Sequence, residues 1–228
     1  MIKIIVPFYN HINDETTESM KRLSPDLYTI QSVQGTYIGD SRDFGVLTES
    51  LSATRESNQI LNGKYSHFLF VDADMFFNPQ DITALVEHDL PVVSGAYCLS
   101  TTEKLWCAGK IIDRWIYACH KSSVLSLEQC DFCGGGFLLV KAEVFEKVPR
   151  PWFRYIMDYY DVDGEPYSVQ WKEDIGFCMH LVKHGYKIMV DFNTVIGHCN
   201  KIHRVHDSID LSHVNLNQGP LINLGRKD

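Results

Sequence analysis

The stretch Phe68–Phe77, "FLFVDADMFF", sets two carboxylates inside a run of apolar residues. Phe68, Leu69, Phe70 and Val71 precede Asp72, and Met75, Phe76 and Phe77 follow Asp74. Consecutive apolar residues without polar alternation fit a central strand covered on both faces. A carboxylate in such surroundings is costly unless something pairs with it. Ligands of open α/β sheets bind outside the carboxyl ends of the strands, which is where this pair falls. The i, i+2 spacing turns both side chains the same way if the strand continues through them. Oxygen ligands of this kind suit hard divalent cations such as Mg²⁺ and Mn²⁺. Solvated loop aspartates that cap the next helix are the alternative.

Outward from this strand, strand and helix alternate. Ile2–Val6 reads as a buried strand ended by Pro7, residues 14–23 as a short helix, and residues 27–33 as a second strand. Residues 46–62 form an amphipathic pattern stopped by Gly63. Asn78-Pro79 opens another helix, with proline in its first turn. Residues 91–98, "PVVSGAYC", are the next strand, and residues 105–132 are β-rich. Gly134, Gly135 and Gly136 precede a strand and a short helix. Residues 158–167, "DYYDVDGEPY", read as a mobile loop. Residues 172–185 are a helix with Ile175, Cys178, Met179 and Val182 toward a core. "YKIMVDF" and "TVIGHC" are two further strand segments. This pattern predicts an α/β fold with a central, largely parallel mixed sheet flanked by helices. One domain over residues 1–205 is expected, with residues 206–228 as an aperiodic tail or linker that leaves room for a longer polypeptide.

The chain has 228 residues, enough to bury a full core without disulfides. A net charge of −8 argues against a nucleic-acid partner, which needs a basic footprint. Seven cysteines, an odd number set mostly among apolar neighbours, fit reduced thiols in a cytoplasmic, reducing compartment. Only Cys130 and Cys133 form a CxxC, and no second pair completes a zinc site. No window approaches the roughly 18 apolar residues of a membrane span. The apolar N-terminal run is too short, and too soon broken by Pro7, for a signal peptide.

Two further features bear on the aspartates. Glu173 and Asp174 open a helix, where its positive end favours carboxylates. His198 closes an apolar strand after Gly197, and a neutral imidazole is a candidate third metal ligand. Each has an ordinary alternative: helix capping for the acidic pair, a satisfied edge histidine for His198.

Taken in order, "IIVPFYN", "TRESN", "FLFVDADMFFNP", "VVSGAYC", "CGGGFLLVKAEVFEKV", "PRPWF", "KEDIGFCMHLVKHGY" and "VIGH" resemble a nucleotide-sugar-dependent glycosyltransferase of the GT-A fold, DxD-containing and family-2-like. The resemblance covers roughly residues 1–200. It implies a Rossmann-like domain with a nucleotide-binding half over 1–100 and a donor-sugar and acceptor half over 101–205. It implies Mn²⁺ or Mg²⁺ held by Asp72, Asp74 and His198, with Asp72 on the metal or the ribose hydroxyls. It implies a nucleotide-diphosphate sugar as donor, UDP-sugar first and GDP-sugar second, and a glycan or glycoconjugate acceptor. Pro7, Tyr9 and Ala73 would line the nucleotide, and Arg55 and Asn58 would contact it from the helix before the DxD strand. Gly134, Gly135 and Gly136 would flank the donor sugar. Asp174 would act as catalytic base in an inverting enzyme, or orient sugar or acceptor in a retaining one, a choice the sequence leaves open, with Glu173 binding sugar hydroxyls. Trp171 is the preferred acceptor-site aromatic, among Trp152, Phe153 and Tyr97, although large aromatics more often sit in the core. No Q-x-x-R-W run is present, which fits transfer of one sugar per encounter.

Rival readings are a haloacid-dehalogenase-like phosphatase, a nucleotidylyltransferase, and a non-catalytic or zinc-stabilised binding module. The first wants Thr or Val where Phe76 stands. The second wants a glycine-rich basic loop where "PFYNHIND" stands. The zinc module would use His198, His203 and His206.

Overall fold

The structure is a computed structural model. It describes residues 1–47, 64–100, 105–112, 115–118, 126–162, 164–200 and 203–204. Seven strands form the central sheet: β1 (Ile2–Phe8), β2 (Tyr28–Gln34), β3 (His67–Val71), β4 (Val92–Ala96), β5 (Leu127–Cys130), β6 (Phe137–Lys141) and β7 (Ile188–Val195). Their order is β5-β7-β4-β6-β3-β1-β2. β1 pairs in parallel with β2 and β3, and β7 with β4; β6 runs antiparallel to β3 and β4, and β5 to β7. Five strands therefore share one direction, as the expected mixed, largely parallel α/β sheet requires.

Five helices flank the sheet among the described residues: α1 (Asp14–Lys21), α2 (Ile38–Leu47), α3 (Pro79–Glu87), α4 (Ala142–Lys147) and α5 (Glu173–Lys183). Side chains alternate across the sheet with period two. Phe68 and Phe70 therefore join Val46, Phe145, Phe177 and Leu181 on the side of α2, α4 and α5. Leu69 and Val71 join Ile82 and Leu85 of α3, and Met20 of α1, on the other side. Every residue of β3 is buried because both faces are covered. Pro79 opens α3 as the sequence suggests, and the Asn78 N–H donates to Asp81 Oδ2 at 2.7 Å.

Two expectations change, and the helix read over residues 46–62 lies mostly outside the described residues. A helix that the sequence did not suggest, α2, starts at Ile38. Its two glycines explain how it docks. A Cβ on Gly45 would stand 2.6 Å from Ile5, and one on Gly39 would stand 2.9 Å from the Phe153 carbonyl. Buried Lys3 pins the helix by donating to the Gly45 carbonyl at 2.9 Å. Residues 158–167 are no loose loop. Ile156–Val162 and Glu165–Trp171 pair as an antiparallel hairpin, closed by Val162 opposite Glu165, with Gly164 at φ 85°. Finally, "TVIGHC" splits. Its first residues continue β7, and Gly197–Asn200 forms a separate strand against Met75–Phe76. No helix among the described residues is long and apolar enough to cross a membrane.

Candidate active site

β3 ends at Val71, and the chain turns at once: the Asp72 carbonyl accepts the Met75 N–H at 3.2 Å. The strand does not continue through the aspartates, so their side chains diverge instead of pointing together.

Asp72 turns inward. Its Oδ1 accepts Arg42 Nη2 at 2.6 Å, and Arg42 Nη1 reaches Glu173 Oε1 at 3.0 Å. Arg42 is only 2% exposed. Burial alone would lower its pKa, yet the charges of Asp72, Asp174 and Glu173 raise it above the ordinary value. The guanidinium lies 5.4 Å from the Phe153 ring centroid. It fills the room a side chain on Gly135 would need, since a Cβ there would be 2.5 Å from Arg42 Cζ. This cation was not expected from the sequence. Gly39 and Gly45 stand at i−3 and i+3 from Arg42, hence on its helical face. That spacing, which lets a backbone approach closely on one side, was the available signal.

Asp74 turns outward and is 41% exposed. The pairing of Gly197 with Phe76 and His198 with Met75 brings His198 alongside. His198 Nε2 stands 3.1 Å from Asp74 Oδ2, and its Nδ1 stands 2.8 Å from the Cys98 carbonyl. A carbonyl only accepts, so Nδ1 carries a proton and donates it. Burial lowers the His198 pKa, but the bond to Asp74 and its charge raise it above the ordinary value on balance.

A cleft of about 340 Å³ opens over this pair and is lined by Pro7, Tyr9, Asp72, Ala73, Asp74 and His198, together with Phe8, Asn10, His11, Asn13 and Ile38. Six residues expected at the donor site from the sequence thus share one cleft. The Ala73 carbonyl itself is used structurally, accepting the Asn13 N–H at 2.8 Å and Thr16 Oγ1 at 3.0 Å.

The remaining expected residues fall elsewhere. Gly134, Gly135 and Gly136 pack against protein: Cβ atoms on them would meet Tyr97 and Cys107, Arg42, and Met75 respectively, all within 2.6 Å. The Gly136 N–H donates to the Tyr97 hydroxyl at 2.9 Å. Asp174 opens α5 beside Glu173, and its Oδ1 accepts the Ile175 N–H at 2.8 Å. Burial, and then the Glu173 charge, raise the Asp174 pKa against the pull of Arg42. Arg55, Asn58 and His206 lie outside the described residues.

Trp171 is not available to a ligand. It is 1% exposed, and its Nε1 donates to Asp158 Oδ2 at 2.8 Å. Trp152, Phe153 and Tyr97 are buried as well, the ordinary fate of large aromatics. Cys98, Cys107, Cys130, Cys133, Cys178 and Cys199 are not joined in disulfides. Among the described residues no three His, Cys, Asp or Glu side chains converge as a ready-made metal cage. Asp74 and His198 meet, and Asp72 is drawn to Arg42.

No family model and no curated protein matches the chain. Among solved structures, A197 from STIV is similar with a TM-score of 0.51 at 18% identity, covering 83% of this chain and 80% of that one. That likeness shows the fold. TarS 1-349 from S. aureus gives a TM-score of 0.45 at 14% identity, covering 83% and 57%. GalNAc-T7 with UDP, GalNAc and Mn²⁺ gives 0.47 at 11%, covering 90% and 44%. The chain thus spans less than two thirds of each of these last two.

Proposed function

We propose that this protein is a GT-A-type glycosyltransferase that moves a sugar from a nucleotide-diphosphate sugar, UDP-linked first and GDP-linked second, to a glycan or glycoconjugate acceptor with the help of a divalent cation. The observation that carries this reading is the Asp74–His198 pair at the floor of an open cleft whose walls include Pro7 and Tyr9.

The residues present fit a cation. Nδ1 is committed to the Cys98 carbonyl, so Nε2, which donates to Asp74 Oδ2 here, is the nitrogen that would give up its proton and bind a cation beside that carboxylate oxygen. Asp74 and His198 would hold the cation, with phosphate oxygens and water completing its shell, and the mixed oxygen and nitrogen pair favours Mn²⁺ over the oxygen-seeking Mg²⁺. When bound there, the cation supplies Lewis-acid stabilisation of the charge that grows on the departing diphosphate.

The chain's own residues do the rest. Asp72 has one carboxylate oxygen tied to Arg42 and keeps the other for a ribose hydroxyl. Tyr9, exposed at the cleft edge, offers its ring to the base. Asp174 takes the proton from the acceptor hydroxyl. A carboxyl whose pKa is raised is a better base near neutral pH than an unperturbed one. Glu173, held by Arg42, orients sugar hydroxyls.

The test is incubation with panels of UDP- and GDP-sugars, Mn²⁺ and mixed glycan acceptors, with free nucleoside diphosphate as the readout. Release that disappears in Asp74→Ala and His198→Ala supports the reading. Release of inorganic phosphate from phosphoesters, with no diphosphate from any nucleotide-sugar, overturns it.

A further inference from the structure

We propose that the outer face of the hairpin Ile156–Val162/Glu165–Trp171 is a saccharide platform that holds the acceptor chain, an inference that rests on the glycosyltransferase reading and names where its acceptor lies. The hairpin has two unlike faces. On the inner face Ile156 pairs with Trp171, Asp158 with Val169, and Tyr160 with Tyr167. Trp171 and Val169 are each 1% exposed, and the Tyr160 and Tyr167 rings stack at 5.8 Å. That face is anchored, which fixes the position of the other.

The outer face carries Met157 and Tyr159, with Tyr155 one step before the strand. They are 44%, 77% and 47% exposed. Same-face residues in a strand stand roughly 7 Å apart, the scale of one sugar ring. Their cross-strand neighbours are Gln170, opposite Met157, and Ser168, opposite Tyr159. Flat apolar surface flanked by neutral donors and acceptors is the chemistry that recognises a saccharide, whose rings have apolar faces and hydroxyl rims.

Continuity with the site selects the occupant. Trp171, which pairs with Ile156, stands two residues before Glu173, and a Cβ on Gly176 of α5 would stand 2.1 Å from the Arg154 carbonyl, so the strip starts beside the acidic pair and leads away from it. A chain whose reactive hydroxyl sits at Asp174 lays its following rings on Met157 and then Tyr159. Trp171, the aromatic the sequence favoured for this task, instead supports the platform from beneath.

The test is methyl NMR on protein labelled at methionine, with Met157 assigned through Met157→Leu. It is titrated with cellotetraose, chitotetraose and mannotetraose, and separately with Mn²⁺ and UDP. At least one tetraose is expected to move the Met157 resonance. Tyr159→Ala weakens that tetraose roughly tenfold, and Tyr159→Phe restores it. The Mn²⁺–UDP titration is unchanged in both variants. No movement with any tetraose, an unchanged affinity in Tyr159→Ala, or a Met157 shift driven by protein concentration alone through pairing of two copies, each overturns the platform. Binding of a tetraose without any Mn²⁺–UDP response supports the platform and overturns the donor reading instead.

Discussion

Asp72 and Asp74 are separated by one alanine and face opposite environments. Asp72 leans from the cleft wall toward the interior, where buried Arg42 binds one of its oxygens and joins it to Glu173. Asp74 points into the cleft, where its partner is a histidine and much of its surface meets solvent. The charge of the first carboxylate is met by the fold, which leaves it one oxygen for a ligand, and the charge of the second is left for a ligand to meet. The question raised by two charges at the end of an apolar strand therefore has two answers, one internal and one external. A tight turn immediately after Val71 makes the division possible.

Replacing the internal cation should produce the largest effect. Arg42→Met leaves Asp72 and Glu173 without their partner, and breaking a buried ion pair costs about 3–5 kcal/mol. Denaturant unfolding checks this; a loss below about 1 kcal/mol would make the buried network no more important to folding than a surface pair. Next comes chemistry at the start of α5. Asp174→Asn should keep nucleotide binding and lose turnover by roughly 10²–10⁴-fold, the usual worth of a positioned base. Turnover within a few-fold of the parent would remove Asp174 from its role.

Asp43 sharpens the comparison, because it is a carboxylate held mainly by backbone. Its oxygens accept N–H groups of Trp152 and Phe153 at 3.3 and 3.0 Å. Burial raises its pKa to about 6. That lies above its unfolded value of about 3.9. The folded state thus binds the proton more tightly, and the stability gained from this is full below the unfolded value and lost as pH rises through about 6. Asn offers only one acceptor to these two N–H groups, a loss that does not depend on pH, so the stability of Asp43→Asn relative to the parent should improve by about 1–2 kcal/mol from pH 4 to pH 8. An equal effect at both ends of that range would mean the carboxylate titrates normally. The smallest effect on folding belongs to the open side: Asp74→Ala should change stability by less than about 1 kcal/mol.

Much of this arrangement was legible in the sequence. Unbroken apolar runs gave β3 and β1, Asn78-Pro79 gave α3, and the order of Pro7, Asp72, Asp74 and His198 gave residues that do share a cleft. What was missed shares a cause. Helix α2, "IGDSRDFGVL", has two glycines and no regular apolar stripe, since it docks by close backbone approach and not by a wide apolar face. Its arginine could not be seen as a core residue without that docking. The hairpin was hidden because its inner face mixes Ile156 with Asp158 and Tyr160, so polar and apolar residues do not alternate cleanly. Gly164, at φ 85°, was its readable mark, since glycine is favoured in tight hairpin loops. Trp171 was favoured for a ligand because it immediately precedes the acidic pair, whereas strand alternation buries it.

The division of labour between the two aspartates is tested most directly by calorimetric titration of UDP, with and without Mn²⁺, into the parent and into Asp74→Ala. The expected result is binding in the parent that requires Mn²⁺ and vanishes in Asp74→Ala, while the two proteins unfold at nearly the same denaturant concentration. Undiminished Mn²⁺-dependent binding in Asp74→Ala would contradict it.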